Sequence, residues 1–127
     1  NVRVSVNLET RRSRFPAVIV NAGILENGEE VDVGQCLAYP LEYVQSTEEA
    51  HDQIYINWMG IQRQFQGKGW GRYLLWKTLL EAQVVGYRQC VLGTDEKNSR
   101  ALVFYANYGF RVTHFSYSYE KKLDGLG

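Results

Sequence analysis

No excess of either charge marks this chain: Lys plus Arg and Asp plus Glu stand at 14 each. No global field therefore draws it to nucleic acid or to an anionic membrane, and a charged partner has to be met locally. Cysteine is scarce. Cys36 and Cys90 are the two present, far apart, with no C-x-x-C spacing and no pattern of metal ligands, so reduced core thiols are expected and no metal. Long hydrophobic runs are missing as well, none approaching the roughly 20 apolar residues that span a bilayer, and no charged-then-apolar leader opens the chain. A soluble, cytoplasmic protein without membrane contact is the expectation. Position 1 is Asn rather than Met, as in a fragment, a processed form or the C-terminal domain of a longer chain. There are no internal repeats and no low-complexity segment.

What is present is 45% hydrophobic residues, 13% of the chain aromatic, over 127 residues. That suits one packed domain over residues 1–127 and is too short for two. The most informative stretch is Gln66-Gly67-Lys68-Gly69-Trp70-Gly71, between a strand-like run at 54–61 and a helix-like run at 70–85. Glycines let a backbone turn tightly and approach a ligand closely. Free N–H groups of the turn and of the first helical turn, with the helix dipole, then form an anion cradle suited to phosphate. Two familiar phosphate loops do not fit. A dinucleotide fingerprint counted from Gly67 would need glycine where Arg72 stands, and a nucleoside-triphosphate loop needs Ser or Thr where Gly69 follows Lys68.

The stretch matches Q/R-x-x-G-x-G/A through Gln66, Gly69 and Gly71. A second block stands downstream: Asn98, Ala101, Tyr105 and then Gly109-Phe110, in the pattern N-x-x-A-x-x-x-Y-x-x-x-G-F. Two patterns in this order and spacing resemble the GNAT superfamily of N-acetyltransferases. The resemblance implies an α/β fold with a mixed central sheet. One strand, 54–61, parts from its parallel neighbour, 89–94, and the gap receives the pantetheine arm of acetyl-CoA. The match is firm over 54–123 and only topological before it. The two helices that the family usually places after its first strand have no room here, where a short turn separates Glu9 from Ala17.

Periodicity supplies the other elements. Residues 2–9 alternate as an edge strand through Val2, Val4, Val6 and Leu8. A basic turn with Arg11, Arg12 and Arg14 follows, read either as solvated or as a site for the 3′-phosphate of the coenzyme. Residues 17–25 and 31–44 form a hairpin around Asn27-Gly28, a type I′ signal. Residues 45–53 read as an acidic surface loop. In 54–61, Ile54, Ile56 and Trp58 are expected on one face and Tyr55, Asn57 and Met59 on the other, with a bulge or close approach at Gly60. The helix 70–85 turns Leu74, Leu75, Leu79, Ala82 and Val85 to the core and ends at Gly86. A second helix runs from Asn98 to before Gly109, and residues 110–123 close the sheet.

The resemblance also implies roles. Gln66, Gly67, Lys68, Gly69, Trp70, Gly71 and Arg72 would hold the pyrophosphate of acetyl-CoA, with Asn98 and Ala101 as further coenzyme contacts. Met59, through its main-chain N–H, would polarise the thioester carbonyl, and Ile61 would pair with pantetheine. Tyr105 would protonate the departing thiolate, for which a phenol with a pKa near 10 is suited. The expected acceptor is an amine, of a small molecule or a protein, attacking directly in a ternary complex. A catalytically weak, coenzyme-binding regulatory or interaction module is the alternative. Some members carry a glutamate base where Tyr55 stands; Asn57, His51, Glu42, His114 and Glu120 are the remaining base candidates. A second subunit or a linked neighbouring domain could complete the acceptor wall.

Overall fold

The computed structural model describes residues 2–11 and 13–92. The second motif block, with Asn98, Ala101 and Tyr105, lies outside the described residues, as do the expected second helix, the closing strand, Arg12, His114 and Glu120.

Among the described residues, five strands form one mixed sheet in the order β1-β2-β3-β4-β5. They are β1 (Val2–Glu9), β2 (Ala17–Glu26), β3 (Glu29–Pro40), β4 (Gln53–Ile61) and β5 (Gln89–Leu92), with one α-helix, α1 (Trp70–Val85), between β4 and β5. The first three pairings are antiparallel and β4 to β5 is parallel. Asn27 and Gly28 at the β2–β3 turn both have positive φ, 53° and 81°, as a type I′ hairpin requires. Residues 10–16 join β1 to β2, and the described ones form no helix. No helix among the described residues is long and apolar enough to cross a membrane.

The core lies between the sheet and α1, which packs on β2, β3 and β4. Val18, Val20, Cys36, Ala38 and Ile54 meet Leu74, Leu75 and Ala82 there, all buried. Leu79 and Val85 are only half-buried, and the turn of helix between Leu74 and Ala82 instead buries Thr78 completely. Its hydroxyl donates to the Leu74 carbonyl at 2.7 Å, so a polar side chain sits in the core with its donor satisfied.

Three expectations need correction. The partner strand of the hairpin spans Glu29–Pro40 rather than 31–44, because Pro40 cannot donate to a ladder and a short 3-10 turn, Leu41–Tyr43, follows it. The presumed loop 45–53 holds a 3-10 helix, Glu48–Asp52, pinned by Ala50, which is 0% exposed, and its last residue, Gln53, begins β4. In β4 the alternation breaks at Asn57: Leu37 pairs with Trp58 but Ala38 pairs with Ile56, leaving Asn57 as a bulge. Ile54, Ile56 and Met59 therefore share the helix side, through partners such as Ala38 and Cys36, while Tyr55 and Trp58 share the other. Gly60, expected as a bulge or a close approach, is the close approach. It lies under the Trp58 ring, where an added Cβ would come within 2.2 Å of the indole.

Candidate functional site

The site is built where β4 ends and α1 begins. A second irregularity, in β3, prepares it: Ala22 pairs with Gly34 and Gly23 with Asp32, so Val33 is extra. The Val33 carbonyl accepts the Gln62 N–H at 2.8 Å, fixing the chain just after β4. Beside it Gly34 lets three elements close together, since a Cβ there would stand 2.6 Å from the Gly60 carbonyl oxygen and 3.1 Å from Leu74 Cδ1. A 3-10 turn, Arg63–Phe65, follows and is anchored by buried Phe65. The Gln66 side-chain amide then reaches back to donate to the Ile61 carbonyl at 3.0 Å. Gln66 thus braces the loop against the strand end.

From there the chain turns through Gly67 (φ 75°) and Gly69 (φ 89°) into α1. Gly69 is the N-cap in the left-handed region, and no side chain caps the helix. An added Cβ at either glycine would meet nothing within 4 Å, so backbone conformation, and not packing, demands glycine at both. The first backbone bond of the helix runs from Tyr73 N–H to the Gly69 carbonyl at 3.1 Å. Among the described residues, the N–H groups of Lys68, Gly69, Trp70 and Gly71 donate to no backbone acceptor. No acid of α1 stands in its first turn, and Lys68 and Arg72 add cationic side chains to the positive helix end, both exposed. Chemically this is an anion-binding turn.

β4 leads to it from the parallel pair. The pairing with β5 runs from Gln53 with Gln89 to Ile56 with Leu92, the last described residue, and the Asn57 bulge begins at that point. Met59 and Ile61, both half-buried, lie beyond it on the way to the turn. Trp70, Tyr73 and Trp76 make a ladder of rings along α1 at centroid distances of 6.1 and 5.9 Å.

Two of the base candidates fall elsewhere. Glu42 and His51 are brought together, Oε1 to Nδ1 at 2.5 Å, and the other Glu42 oxygen accepts the Arg14 N–H at 2.9 Å. They flank the start of β4, about 20 Å along the strand from Met59 at its usual rise. Tyr55 joins a cluster instead, its ring 6.0 Å from Tyr39, which is 6.1 Å from Tyr43. Burial first, then the neighbouring Tyr39 and Tyr43 phenols, push the Tyr55 pKa above its usual 10.0. Arg14 holds its guanidinium 5.6 Å over Phe15, and Arg11 is exposed. No group of three or more His, Cys, Asp or Glu side chains that could hold a metal gathers among the described residues.

Gln66, Gly69 and Gly71 were legible as motif residues, but the Val33 carbonyl, Gly34 and the Gln66 brace were not. Gly34 alone carried a signal, a glycine inside a strand, which marks close backbone approach.

Comparison with known proteins bears on this arrangement. No curated protein matches the chain. Among solved structures, the aminoglycoside N-acetyltransferase AAC(6')-Iy, in complex with a CoA-containing bisubstrate analog, is similar with TM-score 0.64 and 17% identity, over 79% of this chain and 65% of that one. An aminoglycoside acetyltransferase from an uncultured soil metagenomic sample is similar with TM-score 0.59 and 23% identity, over 80% and 64%. A transcriptional regulator from Bacillus halodurans gives 0.61 and 22%, over 79% and 63%. This chain spans less than two thirds of each, and at these identities the likeness speaks for fold. The described sheet with its single helix is a GNAT fold with few helices. The sequence model of the acetyltransferase (GNAT) domain matches residues 21–112, most of the chain and the whole of the strand, turn and helix just described, and so the chain belongs to the GNAT acetyltransferase family.

Proposed function

We propose that this domain transfers an acetyl group from acetyl-CoA to a primary amine, by direct attack of the amine on the thioester in a ternary complex. One observation carries the reading: the N-terminus of α1, with no side-chain cap and no acid in its first turn, entered through left-handed Gly69 at the end of the loop that follows β4. The pyrophosphate of the coenzyme would lie on the N–H groups of 67–72, with Lys68 and Arg72 beside it. Trp70 would flank that site. Met59 N–H would polarise the thioester carbonyl, Ile61 would pair with pantetheine, and Asn98 and Ala101 would complete the coenzyme contacts. The amine attacks the carbonyl carbon, the C–S bond breaks, the thiolate takes its proton from Tyr105, and the proton that the amine gives up returns through solvent to the phenolate. The family's solved relatives include enzymes named for aminoglycoside acceptors, which supports an amine acceptor here without naming it.

The experiment is thermal unfolding with and without acetyl-CoA, on the native chain and on Gly69→Asp, followed by CoA release against a panel of amines. Ligand at about 100 times its dissociation constant should stabilise the native chain by roughly 2.7 kcal/mol, several degrees in Tm. The Asp variant should show no shift, and Tyr105→Phe should keep the shift while turning over more slowly. A native chain that ignores acetyl-CoA would refute the reading.

A second reading has its own observation. Tyr55 stands where some members carry a glutamate base, and its raised pKa keeps it protonated at neutral pH, a donor and no base. A domain that binds acetyl-CoA but turns over weakly, as a regulatory or interaction module, would show the thermal shift without CoA release for any amine.

A further inference from the structure

β1 is an edge strand with an unusual degree of self-complementarity. Among the described residues it pairs only with β2, so its other side offers unpaired backbone groups over residues 2–9. Natural edges are commonly blunted by proline, charged side chains, a bulge or an inward charge; β1 has no proline, lysine or bulge, and its two charges, Arg3 and Glu9, are of opposite sign. Its apolar residues Val2, Val4, Val6 and Leu8 lie on the side of the sheet that carries α1, yet α1 packs on β2, β3 and β4. Val2 and Leu8 accordingly remain 54% and 48% exposed. On the opposite side Arg3 faces Gly23 and Glu9 faces Ala17 across β2, neither of which offers a counter-charge.

We propose that β1 pairs antiparallel with β1 of a second copy of this chain, about a two-fold axis through Val6, to make one sheet continuous across the two copies. In that register Val6 meets the partner's Val6, Val4 meets the partner's Leu8, Ser5 meets the partner's Asn7, and Arg3 meets the partner's Glu9. Val4, Val6 and Leu8 then oppose apolar residues on one side, with Val2 opposite Thr10 just beyond the strand, and polar residues oppose polar ones on the other. The charges choose the register. A two-residue slip that centres the axis on Ser5 matches Val4 with Val6 and Val2 with Leu8 but sets Arg3 against Asn7, whereas the Val6-centred pairing forms two symmetry-related Arg–Glu pairs. A two-fold axis normal to the sheet keeps both copies of α1 on one side, where the apolar stripes of the two β1 strands adjoin. The contact is isologous and closes on itself, so it forms a dimer and not a fibre. It is independent of acetyl transfer.

Sedimentation equilibrium on the full chain tests this with Arg3→Glu, Glu9→Arg and the double reversal. The native chain should dimerise. Each single reversal turns two attractive cross-strand pairs repulsive and should raise the dimer dissociation constant on the order of tenfold. The double reversal should restore it. Arg3 and Glu9 of one chain stand about 20 Å apart along the strand, so restoration has to act between copies. Far-UV circular dichroism of each variant separates a lost dimer from a lost fold. A native chain that stays monomeric from micromolar to millimolar concentration would overturn the proposal, as that edge would then serve another partner. So would a dimer that is indifferent to the single reversals, or a double variant as weak as either single.

Discussion

At the scale of single residues, Gly86 shows how little tolerance the short β1–β2 link leaves. It ends α1 at φ 125°, and its N–H donates to the Ala82 and Gln83 carbonyls. Phe15 lies against it, so that an added Cβ would come within 2.6 Å of the ring. Phe15 in turn packs edge-on against Tyr87 at 5.3 Å, and the Tyr87 hydroxyl donates to the Pro16 carbonyl at 2.7 Å. The link therefore docks on the end of the helix through a ring, a glycine and a phenol. Gly86→Ala both strains the backbone and displaces Phe15, and should cost about 1–3 kcal/mol in urea unfolding. Coenzyme binding should survive, because the cradle is at the other end of α1. An unchanged urea midpoint would reject this account.

At the scale of elements, glycine at the entrance to α1 answers a backbone requirement that a residue other than glycine can also meet. Asparagine tolerates the left-handed region, and the space around Gly69 is open. Gly69→Asn should therefore unfold within about 1 kcal/mol of the native chain, while Gly69→Asp adds a negative charge where the proposed pyrophosphate lies. An Asn variant that melts many degrees earlier would show that φ alone does not fix the residue. The described strands, apart from the bounds of β3, the Asn27-Gly28 hairpin, the helix and its glycine ends were legible beforehand, because each is written in local periodicity or in a positive-φ residue. The bulges at Val33 and Asn57 were not. They arise from how β3 registers against both neighbours, a property of pairs of strands with no local pattern. Trp58 was misplaced for that reason, since period two carries through a bulge on paper but not in a sheet. Ala50 escaped notice likewise: one small apolar residue among acids is too weak a signal for a buried turn.

At the scale of the whole molecule, the described thiols and two of the phenols act in one direction on stability. Burial, offset in part by a hydrogen bond with Thr78, pushes the Cys36 thiol from 9.0 up to about 11. Burial, then the nearby Cys36, pushes Cys90 up to about 12. Tyr55 is raised by burial and its neighbouring phenols, and Tyr87 by burial, Tyr43 and Glu42. A folded pKa above the unfolded one means that the folded chain holds its proton more tightly. The resulting stability is fully present below the unfolded value, near 9 for the thiols, and is lost as pH rises through the folded value. Two units at Cys36 alone correspond to about 3 kcal/mol. Unfolding free energy should thus fall on the alkaline side, from about pH 9 towards pH 11, with these four groups making no contribution to the slope at neutrality. Cys36→Val keeps a small apolar side chain under Thr78 and removes the titrating thiol, so its alkaline slope should be shallower than that of the native chain. Denaturant titrations across this range decide the matter: a native chain whose stability stays level up to pH 11, or a valine variant with an undiminished slope, would show that the buried thiol is not what the fold protects.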